Sequence, residues 1–598
     1  MTIKRSRYCG EIRASDVDQE IALCGWVDRW RDHGGVVFID LRDRTGIAQV
    51  VFDPEDTAIP QASGLRQEFV VGVRGKVRRR PEGMANSKLP TGEVEIIVRE
   101  LEIFNAAQTL PYSLHDDSPT QGEVDETLRL KHRYLELRRP GLQHSLRLRH
   151  RFLKSARDYY SENGFWEIET PILYKSTPEG ARDYLVPSRI HPGQFYALPQ
   201  SPQTLKQLCM IGGLDRYVQI ARCFRDEDLR ADRQPEFTQI DVEMSFVDEA
   251  DVMSVHEGLM KRIFHDVLDV NIETPFRRLP YAEAIARYGS DKPDLRNPLE
   301  LVTLTEQGKR TTFQVYLNAL SSGAILKGLC IEEKEPIPRS ELDALPSKVA
   351  PFGAKGITWI RIKGPGDWQS PQAKFFDPAL KAEIESKLPF KPPALLLMLC
   401  DRPGVVNGAL SALRQEYGAR LGYSRSGGYE LAWITDFPLF EYNEEDKRFY
   451  AAHHPFTSPA TTDLPALVAA GPGSDLRAIG ARAYDLVLNG YEVGGGSIRI
   501  HDPQVQAQMF RLLGISEEEA QLKFGFFLKA LQYGTPPHGG IALGVDRIAM
   551  VLAGTDAIRD VIAFPKTQKA SCLMSEAPSP VNPAQLAELK IRVTLPKE

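Results

Sequence analysis

The chain has 598 residues, 42% hydrophobic and 26% charged, with 46 Gly and 42 Pro. That is room for about four domains, and this ordinary usage excludes wholesale disorder, a fibrous repeat and a disulfide-stapled miniprotein. Seventy-four Lys and Arg against 80 Asp and Glu leave a formal charge of −6, which as a global figure argues against a dedicated nucleic-acid binder.

Seven cysteines (9, 24, 209, 223, 330, 400, 572) contain no C-x-x-C pair, so no structural zinc site of the usual spacing is expected. Their odd number and the absence of a signal-like N-terminus predict a reducing, cytoplasmic setting. The longest apolar run, Ala394–Cys400, is about a third of a membrane span, so no membrane association is expected.

In chain order, Ile21–Val27, Val36–Leu41, Gly46–Phe52, Phe69–Arg74 and Val94–Ile103 are apolar or alternating segments separated by Gly-, Asp- and Pro-containing turns. They read as five strands. Either a small closed barrel of the oligonucleotide-binding (OB) design or a small antiparallel sandwich fits them. Residues 108–140 read as a hinge without sustained period. From Lys131 to Tyr160, nine Lys and Arg face only Glu136 and Asp158. Such a run is a solvated helix face or a contact for a polyanion.

Residues 141–290 alternate long helical patterns with strand-like segments, an α+β signature. Residues 291–423 change character, with clustered prolines and a turn (Phe352–Gly356) leading into a strand at Ile357–Ile362; they read as an inserted α+β module. The earlier pattern resumes over 424–565, and 566–598 reads as a polar C-terminal extension.

Three segments carry chemistry. Over Arg225–Arg233, Arg, Asp and Glu are too dense for a buried strand, whereas Tyr217–Ala221 and Phe237–Met244 alternate like strands. An antiparallel hairpin with a polar loop over something charged is the simplest geometry. Arginine suits phosphate because its fork donates two parallel hydrogen bonds and keeps its charge. In Gly539–Ile548, small residues permit close backbone approach before Arg547 enters an apolar helix, where it needs a partner such as phosphate or a stacked base. In Tyr484–Arg499, Asp485 and Glu492 lie seven apart on strand-like flanks and can face one site; magnesium takes one or two carboxylates plus phosphate oxygens. His453-His454 is a packed or loop pair, with no third ligand at zinc spacing. No G-x-x-x-x-G-K-[ST] loop is present.

These segments resemble motifs 2 and 3 of class II aminoacyl-tRNA synthetases, and Gly164–Pro171 (GFWEIETP) resembles motif 1, the dimer-interface unit. With Thr177–Tyr184 (TPEGARDY), Gln200–Gln203 (QSPQ) and Phe224–Asp228 (FRDED), the resemblance is to the bacterial-type aspartyl-tRNA synthetases, running from residue 8 to about 570. It implies an N-terminal OB-fold anticodon-binding domain (1–107). It also implies an antiparallel catalytic core in two parts (141–290 and 424–565) around an insert shared with an amidotransferase subunit (291–423). The implied activity joins L-aspartate to tRNA in two steps, through an aspartyl-adenylate made from ATP with Mg2+, in a homodimer.

By the same resemblance, Arg225, Glu227 and Arg547 are the catalytic set. ATP is bound by Arg225, Asp226, Glu227, Gln234, Phe237, Glu492, Gly544, Val545, Asp546 and Arg547, with adenine between Phe237 and Arg547. Asp485 and Glu492 hold the metal. Aspartate meets Glu179, Gln203, Lys206, Arg225, Asp241, His453 and Arg499, with Lys206 and Arg499 reading the side-chain carboxylate. Arg31, Phe38, Gln49 and Glu95 read the anticodon, Phe38 by stacking on a base. His33 and Gly83 match the form that charges both tRNA(Asp) and tRNA(Asn). A strictly tRNA(Asp)-specific enzyme is the alternative. Asparaginyl- or lysyl-tRNA synthetases fit the insert and the Gln203–Lys206 segment less well. A non-catalytic RNA-binding relative has no need of Arg225, Glu492 and Arg547, and a free-standing amide-forming ligase has no need of the barrel.

Overall fold

The computed structural model describes residues 1–594 except 55–59, 116–123, 178–180, 228–232, 334, 426–427 and 472. The chain divides into two compact units, Met1–Gln143 and His144–Glu598.

In the first unit, Glu20–His33, Val36–Asp43, Gly46–Phe52, Val70–Arg79 and Val94–Asn105 close a barrel, the first strand pairing with the fourth and the third, in parallel, with the fifth. Alternation decides the faces: Val37, Ile39 and Leu41 are buried, while Val36, Phe38 and Asp40 point outward. Leu23, Val27, Val50, Val71, Val73 and Val98 complete the core, each stabilising by about 1.5–3 kcal/mol. The first strand runs six residues beyond its predicted end at Val27. The tight turn at Gly34 and Gly35 (φ +66° and +96°), a backbone region open to glycine, lets His33 pair with Val36 and extends the ladder.

The hinge is more ordered than its sequence predicts. It holds two short helices, Glu126–Lys131, capped by the Asp125 carboxylate, and Arg133–Glu136. Tyr112, Leu114 and Leu135 pack together beneath them, and the buried Glu136 carboxylate meets Arg129 and Arg139. Helices of one turn are too short to display a 3.6-residue period. The basic run is partly paired: Arg138 and Arg149 are well covered, whereas Lys154 and Arg157 pair on the surface. Arg138 pairs with Glu68 (2.8 Å), Arg157 with Glu167 (3.0 Å), and Arg149 and Lys154 with Asp546 and Asp158. Part of the run is thus tied into the fold, and the rest stays on a solvated face.

The second unit is built on an eight-stranded sheet in the order Arg277–Pro280, Leu431–Thr435, Ala483–Leu488, Tyr491–Ile498, His538–Gly544, Glu236–Ser245, Arg216–Phe224, Trp166–Glu167. The inner pairs are antiparallel and the two edge pairs parallel. Helices Pro140–Glu162, Glu249–Leu268 and Val545–Ala553 bury one face around Phe152, Phe264, Trp433 and Ile548. Between Pro280 and Leu431 lies a separate five-stranded antiparallel sheet. Its central strand, Ala394–Asp401, is the long apolar run, and Ala394–Leu399 is fully covered on both faces. Among the described residues no helix is long and apolar enough to cross a membrane. Residues 566–594 carry one short exposed helix, Pro583–Glu588, and no buried residue.

Candidate active site

The open face of the eight-stranded sheet bears a cavity of about 630 Å³, lined from Ala181 to Ile558 by strand residues and by loops at the strand ends. Period-two alternation sends Asp241 and Glu243 from one strand to this face, and the helix Gln203–Ile211 brings Gln203 and Lys206 against them.

At one end sits a buried quartet. Lys206, 1% exposed, places Nζ 2.8 Å from Asp241 Oδ1 and 3.3 Å from Glu243 Oε2. Arg499 donates from Nε and Nη2 to the two Glu243 oxygens (2.9 and 3.1 Å) and from Nη1 to Ser497 Oγ (2.7 Å). Burial pushes the Asp241 carboxyl upward against the pull of Lys206. Burial pushes Glu243 upward too, but Arg499 and then Lys206 outweigh it and hold its carboxyl low. Asp241 Oδ2 and Gln203 Nε2 are buried and, among the described residues, have no hydrogen-bond partner. One acceptor and one donor left orphaned beside a cavity are what a zwitterionic ligand satisfies. His453 lines the cavity edge-on to Phe437 (centroids 4.5 Å apart).

At the other end, Arg225 stands over the Phe237 ring (4.9 Å), and Arg547 Nη1 donates to the Glu492 carbonyl (2.8 Å). Phe237, Arg547, Glu227, Gln234 and Gly544 all line the cavity. Gln234 exchanges two hydrogen bonds with the Lys566 backbone (2.9 and 2.8 Å), tying the start of the C-terminal extension to this wall. Asp546 also lines the cavity, but its carboxylate accepts from Thr238 N and pairs with Arg149, anchoring its helix to the sheet. Asp226 and Val545 are not among the lining residues. Asp226 is drawn to Arg182 (3.7 Å), and Val545 points into the core because it opens an apolar helix face. Glu179 lies outside the described residues.

Asp485 and Glu492 face each other across a hairpin in which Asp485 pairs with Gly495. A Cβ at Gly495 would stand 2.8 Å from Asp485 Oδ1, so the glycine leaves room for the carboxylate. Asp485 is 9% exposed. Burial, then the Glu492 and Asp291 charges, push its carboxyl well up against the weaker pull of Lys292, and no described hydrogen bond relieves it. Such a carboxylate fits a cation. Among the described residues no cluster of three or more His, Cys, Asp or Glu forms a metal cage, so phosphate oxygens would complete any coordination.

Sequence reasoning missed Glu243, Asp291, Tyr281 and Glu441, all four near or on this surface. Glu243 carried a signal: two acids two apart in an otherwise apolar strand need buried partners. Asp291 carried none, because it sits at the expected edge of the insert.

In the barrel unit, Arg31 pairs with Asp40 (2.7 Å), and His33 lies edge-on to the outward Phe38 (5.7 Å). Gln49 donates to Glu95 (2.7 Å), whose other oxygen meets Arg78 (2.8 Å), making a largely buried polar pair. Gly83 occupies a left-handed position (φ +79°) facing open space.

Residues 21–104 match the family model described as an OB-fold nucleic acid binding domain, and 125–568 match that of the tRNA synthetases class II (D, K and N). The chain is 54% identical over 597 residues to the Aspartate--tRNA(Asp/Asn) ligase of Symbiobacterium thermophilum, covering 99% of this chain and 100% of that one. It is 52% identical to the ligase of the same name from Thermodesulfovibrio yellowstonii, again over 99% and 100%. Among solved structures it shares the fold of asparaginyl-tRNA synthetase from Pyrococcus horikoshii complexed with asparaginyl-adenylate (TM-score 0.59, 19% identity, 94% and 98% covered). It also shares that of the aspartyl tRNA synthetase from Entamoeba histolytica (TM-score 0.58, 18% identity, 94% and 91% covered). With a closed barrel, a split antiparallel core and a family match over most of its length, this chain belongs to the class II tRNA synthetases (D, K and N).

Proposed function

We propose that this protein is an aspartate–tRNA ligase. It makes aspartyl-adenylate from L-aspartate and ATP with release of pyrophosphate, then transfers the aspartyl group to the 3′-terminal adenosine of tRNA(Asp) and tRNA(Asn). The observation that carries the reading is the buried Lys206–Asp241–Glu243–Arg499 quartet at the cavity floor. Two cations are held at fixed positions by two carboxylates, and a side-chain carboxylate is the group that two such cations select. The orphaned Asp241 Oδ2 is placed for an α-ammonium.

Asparagine would turn an amide nitrogen toward Lys206 or Arg499 and leave buried polar groups mismatched. Sites of this kind reject such analogues by roughly 10⁴-fold. In the first step the aspartate α-carboxylate attacks the α-phosphorus, and Arg225, above Phe237, meets the negative charge that builds there. No covalent enzyme intermediate is needed, since positioning and charge neutralisation carry nucleotidyl transfer. Asp485 and Glu492 would hold Mg2+, which when bound neutralises charge on the triphosphate.

Specificity for both tRNAs is supported by His33 beside Phe38, by Gly83, and by the name of the two bacterial relatives, which share about half of all positions. Homodimer formation is supported by exposed apolar side chains between residues 166 and 195: Trp166 (62% exposed), Ile172, Leu173, Leu185 and Phe195. A cytoplasmic setting is supported by seven cysteines that are all free. ATP–pyrophosphate exchange tests the site: exchange with aspartate and none with asparagine is expected. Exchange with asparagine at a similar rate, or none with aspartate, would overturn the reading.

A further inference from the structure

Both chain crossings that join the five-stranded insert to the catalytic sheet fasten onto one place, the turn between Asp485 and Glu492. On the exit side, Asn489 accepts from Glu430 N at Oδ1 (2.9 Å), donates from Nδ2 to the Gly428 carbonyl (3.2 Å) and donates its backbone N–H to the Glu430 carbonyl (3.1 Å). On the entry side, Gly490 (φ +87°) lies so close to Asp294 that a Cβ there would stand 3.1 Å from the Asp294 Cβ.

Asp294 is itself fixed. Its carboxylate binds Arg296 (2.7 Å), and its carbonyl accepts from Arg414 Nη2 (2.9 Å). Arg414 is buried in the insert's long helix Pro403–Arg420 and also binds the Asn297 and Leu299 carbonyls. Just upstream, the last carbonyls of helix Tyr281–Tyr288, at Ile285 and Ala286, accept from Lys327 Nζ (3.0 Å each), an insert-strand lysine also bonded to Asn407.

Between these clamps lie Asp291 and Lys292. Asp291 lines the cavity. Lys292 Nζ stands 3.4 Å from Asp291 and 3.7 Å from Glu492 Oε2, with 46% of its side chain exposed. Its backbone is anchored while its ammonium can swing. The charges around Lys292 are Asp291 beside it and Glu492 and Asp485 from the hairpin, with Glu441, from the strand Phe440–Asn443, and His453 facing Asp291.

We infer that Lys292 is a built-in counter-cation of the Asp485–Glu492 pair, set in place by the insert, which an incoming divalent ion must displace. Lys292 is a positioning residue: it holds the carboxylates ready while no metal is bound and moves aside toward solvent or phosphate when one binds. The inference rests on the reading that Asp485 and Glu492 hold the metal.

It predicts an effect of unusual sign. Loss of a merely structural lysine weakens a metal site, whereas loss of a competing cation tightens it. A partly exposed ion pair contributes up to about 1 kcal/mol, so Lys292→Gln should bind the ion about two- to fivefold more tightly. The probe is Mn2+ alone, titrated into full-length, nucleotide-free enzyme and followed by the electron paramagnetic resonance signal of the free ion. The expected series is wild-type affinity in Lys292→Arg, tighter binding in Lys292→Gln, and loss in Glu492→Gln. Unchanged or weaker binding in Lys292→Gln would overturn the counter-cation. Failure of nucleotide-free wild type to bind Mn2+ would overturn the inference, which needs an ion that competes with Lys292 before phosphate arrives, and retention of wild-type binding in Glu492→Gln would overturn the metal assignment itself.

Discussion

The buried pair Lys206–Asp241 yields the sharpest mutational test. Lys206 Nζ and Asp241 Oδ1 are 2.8 Å apart, with side chains 1% and 0% exposed. Lys206→Met removes one cation from a quartet that is otherwise balanced, leaving Asp241 and Glu243 against Arg499 alone. Breaking a buried pair by removing one partner costs about 3–5 kcal/mol, because the remaining charge is buried without compensation. Asp241→Asn should cost a similar amount by leaving Lys206 in excess. The double variant Lys206→Met/Asp241→Asn restores neutrality, so its loss should fall short of the sum by about 1–3 kcal/mol.

The pH dependence follows in sign. Burial already raises the Asp241 carboxyl in the folded protein, and without Lys206 it rises further. A carboxyl raised by folding contributes stability that is full at low pH and is lost as pH climbs through the folded value. The Lys206→Met deficit should therefore shrink between pH 8 and pH 5. Urea midpoints of the four proteins at both pH values are the assay, with ATP–pyrophosphate exchange alongside. Stability should recover in the double variant while exchange stays abolished. Strictly additive losses, or normal exchange in Lys206→Met, would refute the reasoning.

Other outcomes are also specific. Phe38→Ala should raise the KM for tRNA by roughly 5- to 150-fold, the equivalent of about 1–3 kcal/mol of stacking, without changing pyrophosphate exchange; equal effects on both would point to misfolding. Gly495→Ala places a Cβ 2.8 Å from Asp485 Oδ1; KM for ATP should rise about tenfold or more with the melting temperature nearly unchanged, and an unaltered KM would remove Asp485 from the nucleotide site. His256 is fully buried, and burial holds its imidazole down at about 4. A base lowered by folding contributes stability at neutral pH that is lost as pH falls toward the folded value. His256→Gln should therefore flatten the loss between about pH 6.5 and pH 4, worth about 3 kcal/mol, and an unchanged acid limb would contradict this.

Much of the barrel was legible in the sequence, because alternation such as Val37-Phe38-Ile39 both marks a strand and sorts its faces. The hairpin bearing Arg225 and Phe237 was legible for the same reason, since its polar loop is bracketed by alternating runs that pair as antiparallel strands. The strand-like flanks of Asp485 and Glu492, seven residues apart, were legible as well and pair as a hairpin. What stayed hidden depends on distant partners. Whether the Arg149 charge faces solvent or finds Asp546 is settled by chain folding, so that part of the basic run looked freer than it is. The overall charge of −6 misled in the same way, because the carboxylates of the cavity count toward it and the OB-fold nucleic acid binding domain does not stand out. Gln234, expected at ATP, proved tied also to the Lys566 backbone, and Asp291 was hidden at a domain edge.

Aspartylation of tRNA(Asp) and tRNA(Asn) transcripts, side by side with the full-length enzyme, ATP and Mg2+, tests the assignment most directly. Both transcripts should accept aspartate, and neither should accept asparagine. Charging of tRNA(Asp) alone would contradict the dual specificity attributed to His33 and Gly83, and charging of neither would contradict the function.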